Sequence, residues 1–180
     1  MVSAGLGLGS WDVLHQGIAT RAGLRIGWVI IAVSAIVLLL WIPLRQRPGS
    51  GTVSNVLLVG LVTDGALLLL PEPERIALRG LFLLAGIAIN AVGTALYIGA
   101  GLGPGPRDGL MIGLAKRGFS IRLVRTLIEL SVLAIGWLLG GTVGVGTVLY
   151  AVSIGPLVAL LLPRMSVPTA KAGINQGDRE

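Results

Sequence analysis

From Ile26 to Leu44 the chain carries no charged side chain. A helix of that length is long enough to cross a hydrocarbon core about 30 Å thick. The pattern recurs. Residues 52–70 hold one charge, Asp64, and residues 80–100 hold none, with Asn90 the most polar. Residues 121–139 carry Arg122, Arg125 and Glu129 near their start. A fifth run follows the turn Gly140-Gly141-Thr142-Val143-Gly144-Val145-Gly146 and stops at Pro163-Arg164. A chain that is 54% hydrophobic and 12% charged cannot hide this apolar surface in water. The reading is an all-α, polytopic transmembrane helical bundle with five spans in this chain.

Breakers separate the runs. They are Pro43, Arg45, Arg47, Pro48 and Gly49, then Pro71, Glu72, Pro73, Glu74 and Arg75. Between the third and fourth runs lie Gly101-Leu102-Gly103-Pro104-Gly105-Pro106-Arg107-Asp108-Gly109-Leu110 and a segment to Lys116 too short to cross. No basic region precedes an apolar core as in a secretory signal. One domain is expected over residues 1–165, with residues 166–180 a disordered cytoplasmic tail.

The chain repeats itself. Residues 5–21 match residues 101–117 at Gly5, Leu6, Gly7, Gly9, Asp12, Leu14, Gly17, Ala19 and Arg21. After a one-residue slip, Gly49-Ser50-Gly51-Thr52-Val53 falls on Gly144-Val145-Gly146-Thr147-Val148, and Gly60 on Gly155. Repeat 1 covers about 1–72 and repeat 2 about 77–165. The unit is span, Gly/Pro loop, short helix, span, Gly-x-Gly-Thr turn, span. Three crossings per unit invert the next, so two inverted-topology repeats of three helices are expected. The first repeat lacks its leading helix. Either the reading frame begins upstream or the protein has lost one helix.

Loop charges orient the bundle. Arg45, Arg47, Arg107, Lys116, Arg117, Arg122, Arg164 and Lys171 outnumber Arg21, Arg25, Arg75 and Arg79. The first group, with the C-terminus, is expected in the cytoplasm. The second Gly/Pro loop then faces the cytoplasm and its first copy faces outside. This pattern also accounts for the net charge of +6 without nucleic acid, since no basic helix or aromatic platform is present.

The sequence resembles the YczE/YyaS/YitT group of bacterial integral membrane proteins, the YczE branch most closely. The likeness is carried by residues 101–111, by Arg125 with Glu129, and by Gly140 to Thr147. It implies a multi-pass protein of the bacterial plasma membrane, and members usually have another helix before the first loop. It implies little about activity.

No cysteine is present and His15 is the single histidine, so thiolate and histidine-cluster metal sites are excluded. No metal or cofactor is expected. No nucleophile–base pair is visible, so the chain is not expected to be an enzyme. The Gly-x-Gly pieces lack the βαβ surroundings of a nucleotide site.

Candidate binding residues are Arg107, Asp108, Arg122, Arg125, Glu129, Asp64 and Asn90. Exposed N–H groups after the Gly/Pro loop favour anions, with Arg107 beside them. The plainer roles are N-capping for Asp108 and its copy Asp12, and headgroup anchoring for Arg107. Arg122, Arg125 and Glu129 share one helix face, and an Arg125–Glu129 pair within the helix would neutralise both. A carboxylate inside the membrane is costly unless paired or facing water. Asp64 is expected at a depth comparable to Glu129, so that Asp64, Glu129 and Arg125 line one cavity. An interhelical hydrogen bond accounts for Asn90 equally well. Repeated glycines read as close packing and turns, and Trp11, Trp28, Trp41 and Trp137 as interfacial anchors.

The leading function is a small-solute transporter or permease. The alternative is a non-transporting accessory or regulatory protein acting through a protein partner. Expected partners are the lipid bilayer and a small anionic or polar solute, with a homo-oligomer as a further option.

Overall fold

The computed structural model describes residues 1–71 and 73–165. Glu72, Lys171 and the tail expected to be disordered lie outside the described residues. Every regular element among the described residues is helical. A 3-10 turn over Val2–Ala4 precedes α1 (Ser10–Ala22), α2 (Ile26–Leu39), α3 (Ser50–Leu69), α4 (Ile76–Gly99), α5 (Pro106–Ala115), α6 (Ile121–Leu138) and α7 (Val145–Met165).

Helices α3, α4 and α7 are long and apolar enough to cross a bilayer, and α1 with α2, bent by 116°, would make a fourth. Large apolar side chains such as Leu57, Leu61, Leu68, Ile89, Leu130 and Ile135 face outward. Such a surface suits lipid rather than water. Helix α2 is shorter than the apolar run that encodes it. It stops at Leu39, about 21 Å from its start at 1.5 Å per residue. A turn through Arg45 follows, since Pro43 cannot continue a helical ladder.

The short helices α1 and α5 are built alike. Gly5 and Gly7 have φ of 60° and 113°, and Gly101 and Gly103 have 65° and 111°. These left-handed values suit glycine alone. At Gly7 a Cβ would also meet the Thr147 hydroxyl, and at Gly103 that of Thr52. Gly9 and Gly105 then start the helices in extended conformations.

Each loop docks on the turn of the other half. The Gly51 N–H donates to Leu102 O at 3.1 Å, and the Gly146 N–H to Leu6 O at 2.7 Å. Thr52 Oγ1 accepts from the Gly49 N–H at 3.2 Å, and Thr147 Oγ1 from the Gly144 N–H at 3.3 Å. Arg21 donates to Leu138 O at 3.2 Å, and Arg117 donates to Pro43 O. Each contact joins positions that the repeat equates.

Packing follows the same exchange. Helix α1 lies against α6, and α5 against α2. Gly136 admits Val13 and Leu14, while Gly109 admits Trp41. Helices α2 and α3 cross at Gly27 and Gly60, each lacking room for a Cβ. Close packing therefore holds at Gly60, Gly136 and Gly141, but Gly93 and Gly155 line a cavity.

The first Gly-rich loop lies at the start of α4, where Arg79 donates to Ala4 O and Gly5 O, and the second follows the end of α4. They enter from opposite ends of the bundle, but their helix starts meet inside it. Arg107 therefore does not belong with the loop charges. Lys116 and Arg117 do, because they reach Gln46 and Pro43 at one end.

Candidate solute cavity

The starts of α1 and α5 converge on a central cavity of about 610 Å³. Gly9 to Asp12 supply one wall and Gly105 to Asp108 another. The remaining walls come from α2, α3, α4, α6 and α7. The volume is in the range of small-molecule sites. No side chain caps either short helix. Their first N–H groups and positive dipole ends are thus directed at a shared space.

Arg107 occupies the second position of α5. Its guanidinium lies 5.1 Å from the Trp11 ring centroid, a cation–π distance, and Nη2 is 3.7 Å from Asp12 Oδ1. This pair ties the two halves together across the cavity.

Asp12 and Asp108 are not N-caps. Glycines hold the cap positions, and both aspartates fall in the first helical turn. There a negative charge still favours the helix start. Their side chains turn to other partners. Asp108 accepts a hydrogen bond from the Tyr97 hydroxyl of α4. Asp12 faces Arg107 and, at 3.6 Å, His15 Nδ1.

Arg125 donates to Glu129 Oε1 at 3.0 Å, so the neutralising pair within the helix is formed, and both residues line the cavity. Asn90 also lines it. Its Oδ1 accepts from the Tyr150 hydroxyl at 3.3 Å, joining α4 to α7. Arg107, Asp108, Arg125, Glu129 and Asn90 thus come together.

Asp64 and Arg122 do not join them. Asp64 Oδ1 accepts from the Gly27 N–H at 2.7 Å and serves the start of α2. It does not line the cavity with Glu129 and Arg125, because α3 turns Asp64 onto Gly27 of α2. Arg122 is exposed at the start of α6, outside the cavity. Two tryptophans also differ from expectation. Trp11 and Trp41 are buried, whereas Trp28 and Trp137 are exposed as interfacial anchors would be.

Sequence reasoning missed Tyr97, Tyr150, Asn55 and Trp11 on the walls. A signal was present. The chain has two tyrosines, each within an apolar run, where a polar group needs a partner or water.

Residues 1–163 match the family described as "Family of unknown function (DUF6198)". An "Uncharacterized protein" of Haemophilus influenzae (strain ATCC 51907 / DSM 11121 / KW20 / Rd) is 45% identical over 163 residues, covering 90% of this chain and 75% of that one. The "Uncharacterized membrane protein YczE" of Bacillus subtilis (strain 168) is 33% identical over 161 residues, covering 88% of this chain and 75% of that one. No solved structure matches. The chain belongs to this family of YczE-like proteins, and it is an all-helical membrane protein.

Proposed function

We propose that this YczE-family chain is a permease of the bacterial plasma membrane that passes a small anionic or polar solute through the central cavity. The observation that carries the reading is the convergence of two uncapped helix starts, one from each half, beside Arg107. Broken helices meeting at the repeat interface are how many secondary transporters hold a substrate's charged group. The matched glycine angles and reciprocal hydrogen bonds support an inverted repeat. In that architecture α2, α3, α4, α6 and α7 are the five spans, and α1 and α5 dip in from opposite faces. Arg107 and the Arg125–Glu129 pair bind and position the solute rather than catalyse a reaction. The end with Arg45, Arg47, Lys116 and Arg117 is cytoplasmic, and so is the C-terminus.

The test is uptake by proteoliposomes from a panel of radiolabelled small carboxylates and amino acids. Arg107→Ala and Glu129→Gln should lower uptake at least about tenfold, a loss of roughly 1.4 kcal/mol or more. Both variants should elute from size exclusion as the parent does. Undiminished uptake in both variants would remove the cavity from the mechanism. If the panel yields no uptake and the protein co-purifies with one defined partner, the accessory role replaces the permease.

A further inference from the structure

We propose that His15 and Asp12 form a proton-binding site, in which Asp12 relays a proton between cavity water and the imidazole. His15 is wholly buried on α1, and neither ring nitrogen has a hydrogen-bond partner among the described residues. Buried polar atoms are normally paired, so an orphaned imidazole needs a reason. Its Nδ1 lies 3.6 Å from Asp12 Oδ1, one helical turn back. The Asp12 side chain is 30% exposed and that of His15 is 1% exposed. A proton from the cavity therefore reaches His15 by way of the carboxylate.

The same carboxylate oxygen is 3.7 Å from Arg107 Nη2. With His15 neutral, Asp12 is the counter-ion of Arg107. Asp12 takes a proton from cavity water and passes it to His15 Nδ1. An imidazolium then stands beside a restored carboxylate. Arg107 now shares its counter-ion, and the wall behind Asp12 has gained one positive charge at the buried His15. The guanidinium stays on the wall because Trp11 faces it.

Other groups act on this pair. Tyr150 of α7 and the Arg125–Glu129 pair of α6 line the same cavity, as does Tyr97 of α4 with Asp108 of α5. Helices α2 and α3 contribute only uncharged residues to these walls. Proton uptake thus favours entry of an anionic group at Arg107, which makes the permease a proton–anion symporter. That consequence rests on the permease reading, whereas proton binding itself does not.

One histidine gives one pair of ring signals. The full chain, labelled with ¹⁵N-histidine and placed in lipid nanodiscs, is followed by NMR from about pH 8 down to about pH 4. Burial disfavours the imidazolium, so the ring nitrogens should pass from the neutral to the imidazolium pattern below the ordinary imidazole range, and Asp12→Asn should abolish the change in that window. A neutral pattern throughout in the parent overturns the proposal, and so does an unaltered titration in Asp12→Asn. In proteoliposomes, carboxylate uptake should rise several-fold on acidification in the parent and stay flat in His15→Gln. A titrating His15 without uptake of any probe removes the permease and leaves the proton site. Uptake with a silent His15 removes the proton site alone.

Discussion

Trp41 donates its indole N–H to the carbonyl of Pro106, 3.0 Å away, at the first position of α5. The same ring fills the space above Gly109, where a Cβ would overlap it. One buried tryptophan thus fixes both the height and the approach of the helix that carries Arg107. The repeat equates this pair with Gly136 and Val13, where large and small have changed sides.

Gly109→Ala should destabilise the fold by about 1–3 kcal/mol, because the ring must be displaced. Trp41→Phe keeps most of the packing and loses the hydrogen bond, at about 1 kcal/mol. Because the residues touch, Trp41→Leu should partly rescue Gly109→Ala. Thermal unfolding of purified protein in detergent measures all of them.

The two turn threonines should not be equal. Thr52 Oγ1 accepts from Gly49 and donates to Pro104 O at 2.8 Å, just ahead of α5. Thr147 Oγ1 accepts from Gly144, with no donation among the described hydrogen bonds. Thr52→Val should therefore cost more than Thr147→Val, by about 1 kcal/mol. The comparison is again one of unfolding midpoints. Equal costs would mean that the Pro104 bond adds nothing.

Helix positions could be read from the chain because lipid demands apolar runs, and all five runs became helices. The reciprocal contacts could be read in outline, since Gly7 with Gly103 and Thr52 with Thr147 stand in matched register. What the pattern could not supply was the path of the short helices. Composition makes Gly101 to Lys116 look like a surface loop, yet α5 starts inside the bundle because Trp41, Thr52 and Tyr97 hold its first turn there. The same blindness moved Arg107 from loop to cavity and Asp64 from cavity to helix start. Depth along one helix does not say which neighbour a side chain meets.

Asp64 gives the sharpest contrast with Glu129. Its carboxylate serves the Gly27 N–H rather than the cavity. Asp64→Asn keeps an accepting oxygen, so solute uptake should stay within about twofold of the parent, or roughly 0.4 kcal/mol. Asp64→Ala removes the acceptor and should cost about 1–2 kcal/mol in stability. A large uptake defect in a normally folded Asp64→Asn protein would return this residue to the solute path.

The absence of native cysteine makes orientation directly measurable. Lys116, beside Gln46, and Arg21, beside Leu138, mark opposite ends of the bundle. Single substitutions Lys116→Cys and Arg21→Cys report each end separately. With the richer basic end in the cytoplasm, a membrane-impermeant maleimide should label Arg21→Cys in intact spheroplasts. It should label Lys116→Cys only after the membrane is opened. Reversed labelling would turn the whole bundle over and put the start of α6 outside. Labelling of both in intact cells would mean that the chain inserts in two orientations. One uniform result also bears on the halves themselves, since α1 and α5 run outward from a shared centre. If each dips in from its own face, the ends of these two short helices must never be labelled from the same side.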